Sequence, residues 1–164
     1  MDAAGFDDFY GNEYERHVRA LALVTGDRDT ARDAVDEALA RAWERIRRGV
    51  VIESLGAWVR VVAMNVARGR FRQRARDERM RARIIELRPQ FGDAPEAVID
   101  VRRALATLPR RQREITVLFY FLDLSVQQIA DELGIASGTV RASLHQARQS
   151  LAALLSDHSD VEVR

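Results

Sequence analysis

Apolar residues recur at three- and four-residue steps along most of the chain, and no stretch sustains the alternation that a half-buried strand requires. Phe6, Phe9, Tyr10, Tyr14, Val18 and Leu21 form a first stripe, which Thr25-Gly26-Asp27 interrupts. Thr30 followed by Asp33 has the form of a capping box. Ala31, Ala34, Val35, Ala38, Leu39, Ala42, Trp43 and Ile46 then make a second stripe, closed by Gly49. Ser54 suits the cap of a third helix with the stripe Leu55, Trp58, Val61, Val62, Asn65 and Val66, and this helix runs on into an arginine-rich stretch. From Pro89 to Pro95 the periodicity fails, and two prolines and a glycine mark a domain boundary. Beyond it Val98, Val101, Leu105 and Leu108 predict a short helix. Pro109 fits the first turn of the next, whose buried face is Ile115, Leu118, Phe119 and Leu122. The expected fold is all-α: two small helical domains, 1–85 and 96–156, joined by a flexible linker at 86–95 and followed by a tail at 157–164.

Composition narrows the function. With 164 residues and 47% hydrophobic content, the chain can bury a core. No apolar run approaches the roughly 20 residues that span a bilayer. The start has neither the basic nor the apolar region of a signal peptide, and there is no cysteine, so a cytoplasmic home without membrane insertion is expected. The three histidines, His17, His145 and His158, are scattered. With no glycine-rich phosphate loop and no carboxylate pair in a catalytic context, neither an enzyme, a cofactor nor a metal site is expected.

The net charge of +1 conceals a strong asymmetry. Residues 1–45 carry 6 Arg against 11 acids, a net of −5, whereas residues 46–83 carry 11 Arg against 3 acids, a net of +8. An acidic front and a basic middle point to two partners, one positively charged and one polyanionic.

The most specific local pattern lies at 125–140. Ser125 and Gln128 form a capping box, Ile129, Ala130 and Leu133 an apolar face, Gly134 a left-handed turn, and Ser137 the next cap. Two short helices joined in this way make a helix-turn-helix. In the second of them Val140, Leu144, Ala147, Leu151 and Leu154 share one side, while Gly138, Ala142, His145 and Gln149 lie opposite. Thr139 and Gln146 line one flank and Arg141 and Arg148 the other. A helix with a packed back and a small, polar, basic front can lie in the major groove of DNA.

These residues resemble a known family. Leu108-Pro109-Arg110-Arg111-Gln112-Arg113-Glu114, Leu124-Ser125, Gly138-Thr139-Val140-Arg141 and Leu144-His145-Gln146-Ala147-Arg148 are similar to region 4 of the small, extracytoplasmic-function (ECF) sigma factors. Ala31-Arg32-Asp33-Ala34-Val35-Asp36-Glu37 and Ala57-Trp58-Val59-Arg60-Val61-Val62-Ala63-Met64-Asn65-Val66-Ala67 resemble that family's region 2. The resemblance implies a sigma factor that binds core RNA polymerase, at the β′ clamp helices and the β flap, and promoter DNA, with an anti-sigma factor as a further partner. It implies that the first domain, a region 2 bundle of three or four helices, contacts polymerase through Asp33, Asp36 and Glu37. The same domain would hold the −10 element with Asn65, Arg68, Arg70 and Arg72, and with Glu53 and Ser54 in the base-capture loop. The second domain, region 4, would read the −35 element with Thr139, Arg141, Ser143, His145, Gln146 and Arg148. Asp36, Met64, Gly69, Ser143 and Gln146 depart from the residues usual in the family. The competing readings are a stand-alone helix-turn-helix repressor or activator and a helical adaptor, neither of which needs an acidic helix followed by an arginine-rich one.

Overall fold

The computed structural model describes the backbone of residues 3–80 and 96–159, with side chains over residues 6–73 and 100–153. The expected linker at 86–95 and the tail from 160 lie outside the described residues. The chain divides into two units, Met1–Gln90 and Phe91–Arg164. Among the described residues every regular element is helical.

In the first unit, helix α1 (Ala3–Asp8) passes through one π-helical turn (Phe9–Glu13) into α2 (Tyr14–Thr25). The stripe expected here is only partly buried: Phe9, Val18 and Leu21 are in the core, but Tyr10 is 54% exposed and stacks on Tyr14. Gly26 closes α2 at φ +78°, a conformation that costs glycine nothing, and donates to the Ala22 carbonyl at 2.8 Å. Asp27 follows as the cap of α3 (Arg28–Arg47), its carboxylate accepting from the backbone N–H groups of Asp29 and Thr30. The helix thus starts before the expected Thr30 cap. Thr30 is buried, and its hydroxyl donates to Asp27.

Helix α3 packs on both α2 and α4 (Leu55–Met80). Its buried stripe of Ala31, Ala34, Val35, Ala38, Leu39 and Ala42 explains how two neighbours fit, because four of the six are alanines. Each fully buried Val or Leu contributes roughly 1.5–3 kcal/mol. Trp43 ends that stripe differently from the expectation: it is 46% exposed, with Phe6 set edge-on at 5.3 Å.

Helix α4 corrects the sequence reading more deeply. Its buried face is Leu55, Val59, Ala63, Met64 and Ala67, while Trp58, Val61, Val62 and Val66 are half-buried and Asn65 is exposed. The helix is rotated by about one residue from the expected stripe, near 100°. Met64, a departure from the family pattern, is therefore a core residue, and Asn65 faces water.

In the second unit, α5 (Glu96–Thr107) packs on α8 (Ser137–Ser159), and α6 (Arg110–Tyr120) packs on α7 (Val126–Leu133) and α8. Leu105, Leu108, Ile115, Val117, Leu118, Ile129, Val140, Leu144 and Ala147 form the core. Val101, expected inside, is exposed, and Leu122 is half-buried. Glu114 is buried on α6, where Arg111 donates to it at 3.0 Å. The other guanidinium nitrogen of Arg111 donates to the Leu133 carbonyl at 3.2 Å, tying α6 to the end of α7.

Candidate nucleic-acid and protein interfaces

The helix-turn-helix is built from local rules. The Ser125 hydroxyl accepts from the Gln128 N–H at 3.2 Å, and the Gln128 side chain accepts from the Ser125 N–H at 2.9 Å, so two donors are satisfied reciprocally. Gly134 ends α7 at φ +61°, and α8 begins three residues on. At about 100° per residue, Val140, Leu144 and Ala147 cluster on the back of α8, where all three are buried. Gly138, Ala142, His145 and Gln149 are exposed on the opposite strip. Two of those four carry at most a methyl group, so a ligand can approach the helix backbone closely.

The six residues singled out on this helix are not equivalent. Thr139, Arg141 and His145 are exposed, while Ser143 is half-buried on the flank. Gln146 is exposed, and its carbonyl oxygen accepts from Gln112 Nε2 at 2.9 Å. Arg148 donates through Nε to the Tyr120 hydroxyl at 2.7 Å, with its guanidinium 5.9 Å from the centre of that ring. Both bracing residues lie on α6, 34 and 28 positions away in sequence. No spacing rule could have found them.

The first unit presents a different arrangement. Asp33, Asp36 and Glu37 lie together on α3, but each has a partner. Asp36 accepts from the Tyr14 hydroxyl at 2.7 Å, and burial, followed by that carboxylate, pushes the Tyr14 phenol up to about 12. Glu37 accepts from Arg41 one turn on and from Arg70 of α4 at 2.9 Å, and Arg70 also lies 3.6 Å from Asp33. The structure thus brings Arg70, assigned from sequence to DNA, onto the acids assigned to polymerase. Asp33 stays more open than Glu37, with 68% of its side chain exposed against 36%.

The other residues assigned to the −10 element are spread along α4 and its entry. Asn65 accepts from Arg68 at 2.7 Å on the exposed face, and Arg72 is exposed one turn further. Arg74 and Arg76 continue the series along the helix backbone, but their side chains lie outside the described residues. In the loop before α4, Glu53 is exposed, whereas the Ser54 hydroxyl accepts from the Ala57 N–H at 3.3 Å and so serves as a cap. Sequence reasoning passed over the neighbouring Val50 and Val51, which are 40% and 78% exposed. His17, which the sequence shows only as one of three scattered histidines, is buried with its ring nitrogens 2.9 and 3.1 Å from the carbonyls of Glu13 and Gly56. Burial holds this imidazole below its ordinary pKa. Among the described residues, no cluster of His, Asp or Glu could hold a metal ion, and no helix is long and apolar enough to cross a membrane.

Known proteins share this arrangement. Residues 99–151, most of α5 through the third turn and beyond of α8, match the family model described as "Sigma-70, region 4". Over 156 residues the chain is 34% identical to the ECF RNA polymerase sigma factor SigL of Mycobacterium tuberculosis, covering 84% of each protein. The chain belongs to the ECF RNA polymerase sigma factor family. EcfG of Rhodopseudomonas palustris, another ECF sigma factor, is 32% identical over 142 residues, 84% of this chain and 78% of that protein. SigW of Bacillus subtilis is 27% identical, with 95% and 91% covered. Among solved structures, the sigma factor RpoE of Bartonella quintana, in complex with the anti-sigma factor NepR, superposes with a TM-score of 0.71. It is 26% identical, with 87% of this chain and 91% of that one covered. An all-α sigma factor is thus the identity that sequence, fold and relatives share.

Proposed function

We propose that this sigma factor binds core RNA polymerase through the acidic face of α3 and directs it to promoters by reading two elements with its two units. The carrying observation is α8: a helix buried along Val140, Leu144 and Ala147, exposed along Gly138, Ala142 and His145, and fixed behind a capped α7 and the Gly134 turn. That shape fits the major groove of a duplex −35 element, with Thr139, Arg141, His145 and Gln146 offering donors and acceptors to base edges. Arg148, turned toward α6 and braced by Tyr120, supports the flank and reaches phosphate with its remaining N–H groups.

In the first unit, the exposed Asn65 and Arg72, with the half-buried Arg68 between them, form a polar strip that suits a melted −10 strand, whose phosphates attract arginine and whose bases offer unpaired edges. Glu53 stands at the entry loop beside the exposed Val50 and Val51, a polar and apolar edge suited to an unstacked base. Asp33, Asp36 and Glu37 supply the negative surface that a basic helix on polymerase would meet.

The reading assigns no catalytic residue: the chemistry of transcription stays with polymerase. It places the protein in the cytoplasm with the polymerase and the chromosome. An anti-sigma factor is an expected partner, as NepR is for RpoE.

The test is quantitative binding to a promoter duplex with and without core polymerase. The protein alone should bind weakly, with affinity falling steeply as salt rises, and specific protection should require the holoenzyme. Tight, sequence-specific binding by the isolated chain at physiological salt would favour a stand-alone regulator instead.

A further inference from the structure

The side of α4 that Arg70 occupies is set by the backbone. At about 100° per residue, Arg70 lies about 20° from Val59 and Ala63 and about 60° from Ala67, three residues buried on the side that packs against α3. By the same count it lies about 140–160° from Asn65, Arg68 and Arg72. Arg70 therefore continues the packed seam of the helix, on the far side from the polar strip. A helix is about 10–12 Å across with its side chains, so the Arg70 guanidinium cannot join that strip without passing round the helix.

The seam delivers Arg70 to two carboxylates. Asp33 and Glu37 are one turn apart on one face of α3. Nη2 of Arg70 donates to Oε2 of Glu37 at 2.9 Å, and Nη1 lies 3.6 Å from Oδ2 of Asp33. Arg41 donates to the other Glu37 oxygen, Oε1. Both acids are thus already supplied with a cation from their own chain. All three side chains of the Arg70 cluster are partly exposed, so a partner can reach it from outside.

We propose that Arg70 is an autoinhibitory counter-ion and not a −10 contact: it holds Asp33 and Glu37 in the free chain, in the place that a basic side chain of core polymerase takes on assembly. An incoming guanidinium or ammonium group meets a like charge already set against both carboxylates. It must displace Arg70 or share their oxygens with it, and either lowers the gain from the new contact. Partly exposed pairs are weak enough to exchange, and their typical strength corresponds to roughly two- to fivefold in affinity. The proposal rests on the polymerase reading of α3 and goes beyond it by naming what opposes that contact within the chain.

Titration of fluorescently labelled core polymerase with the full chain tests this, alongside binding of each holoenzyme to the non-template single strand of a promoter that the chain directs. Arg70→Gln should bind core polymerase roughly two- to fivefold more tightly than wild type, with the gain shrinking as salt rises. Its holoenzyme should hold the strand as wild type does. Arg70→Lys keeps the charge and should stay near wild type. Arg72→Gln makes the same change in net charge on the opposite side of α4 and should do the reverse, keeping core affinity and weakening the strand. In the Asp33→Asn, Glu37→Gln background, Arg70→Gln should bring no gain; a gain that persists there is a general effect of charge and overturns the proposal. Weaker core binding by Arg70→Gln would make Arg70 the residue that holds the acids ready for polymerase. Unchanged core binding, with or without a weakened strand, would remove the competition. Either result overturns the proposal. Should the Asp33→Asn, Glu37→Gln chain itself assemble with wild-type affinity, the polymerase reading of α3 falls and this inference with it. Circular dichroism melting accompanies each variant, and Arg70→Met, which keeps an apolar stem along the seam, replaces a glutamine variant that melts early. A chain that unfolds with both makes Arg70 a structural residue and overturns the proposal.

Discussion

On the proposed function, the acidic face of α3 carries two jobs that one substitution series can separate. Alanine at Asp33, Asp36 and Glu37 would remove the negative charge, but also the acceptors for Arg70, Arg41 and the Tyr14 hydroxyl. The variant Asp33→Asn, Asp36→Asn, Glu37→Gln removes three charges and keeps an oxygen at each position. The intramolecular pairs are partly exposed, with Glu37 and Arg70 at 36% and 35%, so each contributes only about 0.2–1 kcal/mol. Because the amide oxygens still accept, the loss of stability should be about 1 kcal/mol in all, which lowers the unfolding temperature by roughly 4–8 °C in a domain of this size. Binding to a basic surface should suffer more. Loss of three favourable charge contacts, at somewhat under 1 kcal/mol each, amounts to about 2 kcal/mol, or roughly thirtyfold in holoenzyme affinity. Circular dichroism melting and titration of fluorescently labelled core polymerase measure the two terms side by side. An amide variant that assembles with wild-type affinity would show these carboxylates to be scaffold alone. One that melts more than about 15 °C lower would show that the ion pairs hold the fold far more strongly than exposed pairs do.

Three smaller tests follow from the same geometry. Gly134→Ala places a Cβ in open space but at φ +61°, so it should cost roughly 1–2 kcal/mol of stability through backbone strain alone; an unchanged midpoint in urea would mean that the turn relaxes. His17 is held below its ordinary value of 6.5 by burial, so the unfolded chain takes up a proton before the folded one does. Its contribution to stability is full above about pH 6.5 and is lost as pH falls toward the folded value. Urea unfolding should therefore give lower stability at pH 5.5 than at pH 7.5, a slope that His17→Gln reduces; an equal slope in both proteins would assign it to other groups. Tyr120→Phe removes the acceptor for Arg148 Nε while keeping the ring beneath the guanidinium. Transcription from −35-dependent promoters should fall roughly two- to tenfold with little change in melting, and equal activity would show that Arg148 needs no brace.

How much of this was legible in the sequence depended on whether a rule acts over a few residues or across the fold. The cap of α7, the Gly134 turn and the packed back of α8 are local, and Ser125, Gln128, Gly134, Val140 and Leu144 announce them at fixed spacings. The start of α3 was ambiguous because Asp27 and Thr30 are both good caps; the chain uses the aspartate and buries the threonine against it. Helix α4 misled the periodicity because residues 57–67 are apolar on most sides, so several stripes fit equally well. Contact with α3 chose Val59, Ala63, Met64 and Ala67, leaving Asn65 exposed. Trp43 counted as core by hydrophobicity, yet it stands at the rim, 46% exposed, with Phe6 set edge-on against it. The pairs Arg70–Glu37, Gln112–Gln146 and Tyr120–Arg148 join residues 28 to 34 apart on different helices. Only the packed fold shows that Glu37, Arg70, Gln146 and Arg148, read from sequence as separate contacts, are held by partners on other helices.

Run-off transcription with purified core polymerase and genomic templates tests the central claim most directly. Core polymerase alone should give no promoter-specific transcript, and addition of the wild-type chain should give discrete start sites that share common −10 and −35 elements upstream. The amide variant of Asp33, Asp36 and Glu37 should fail at all of them. Transcripts that are equally discrete without the chain, or a chain that protects operator-like sites yet never directs core polymerase to a start, would contradict its assignment as the promoter-specificity subunit.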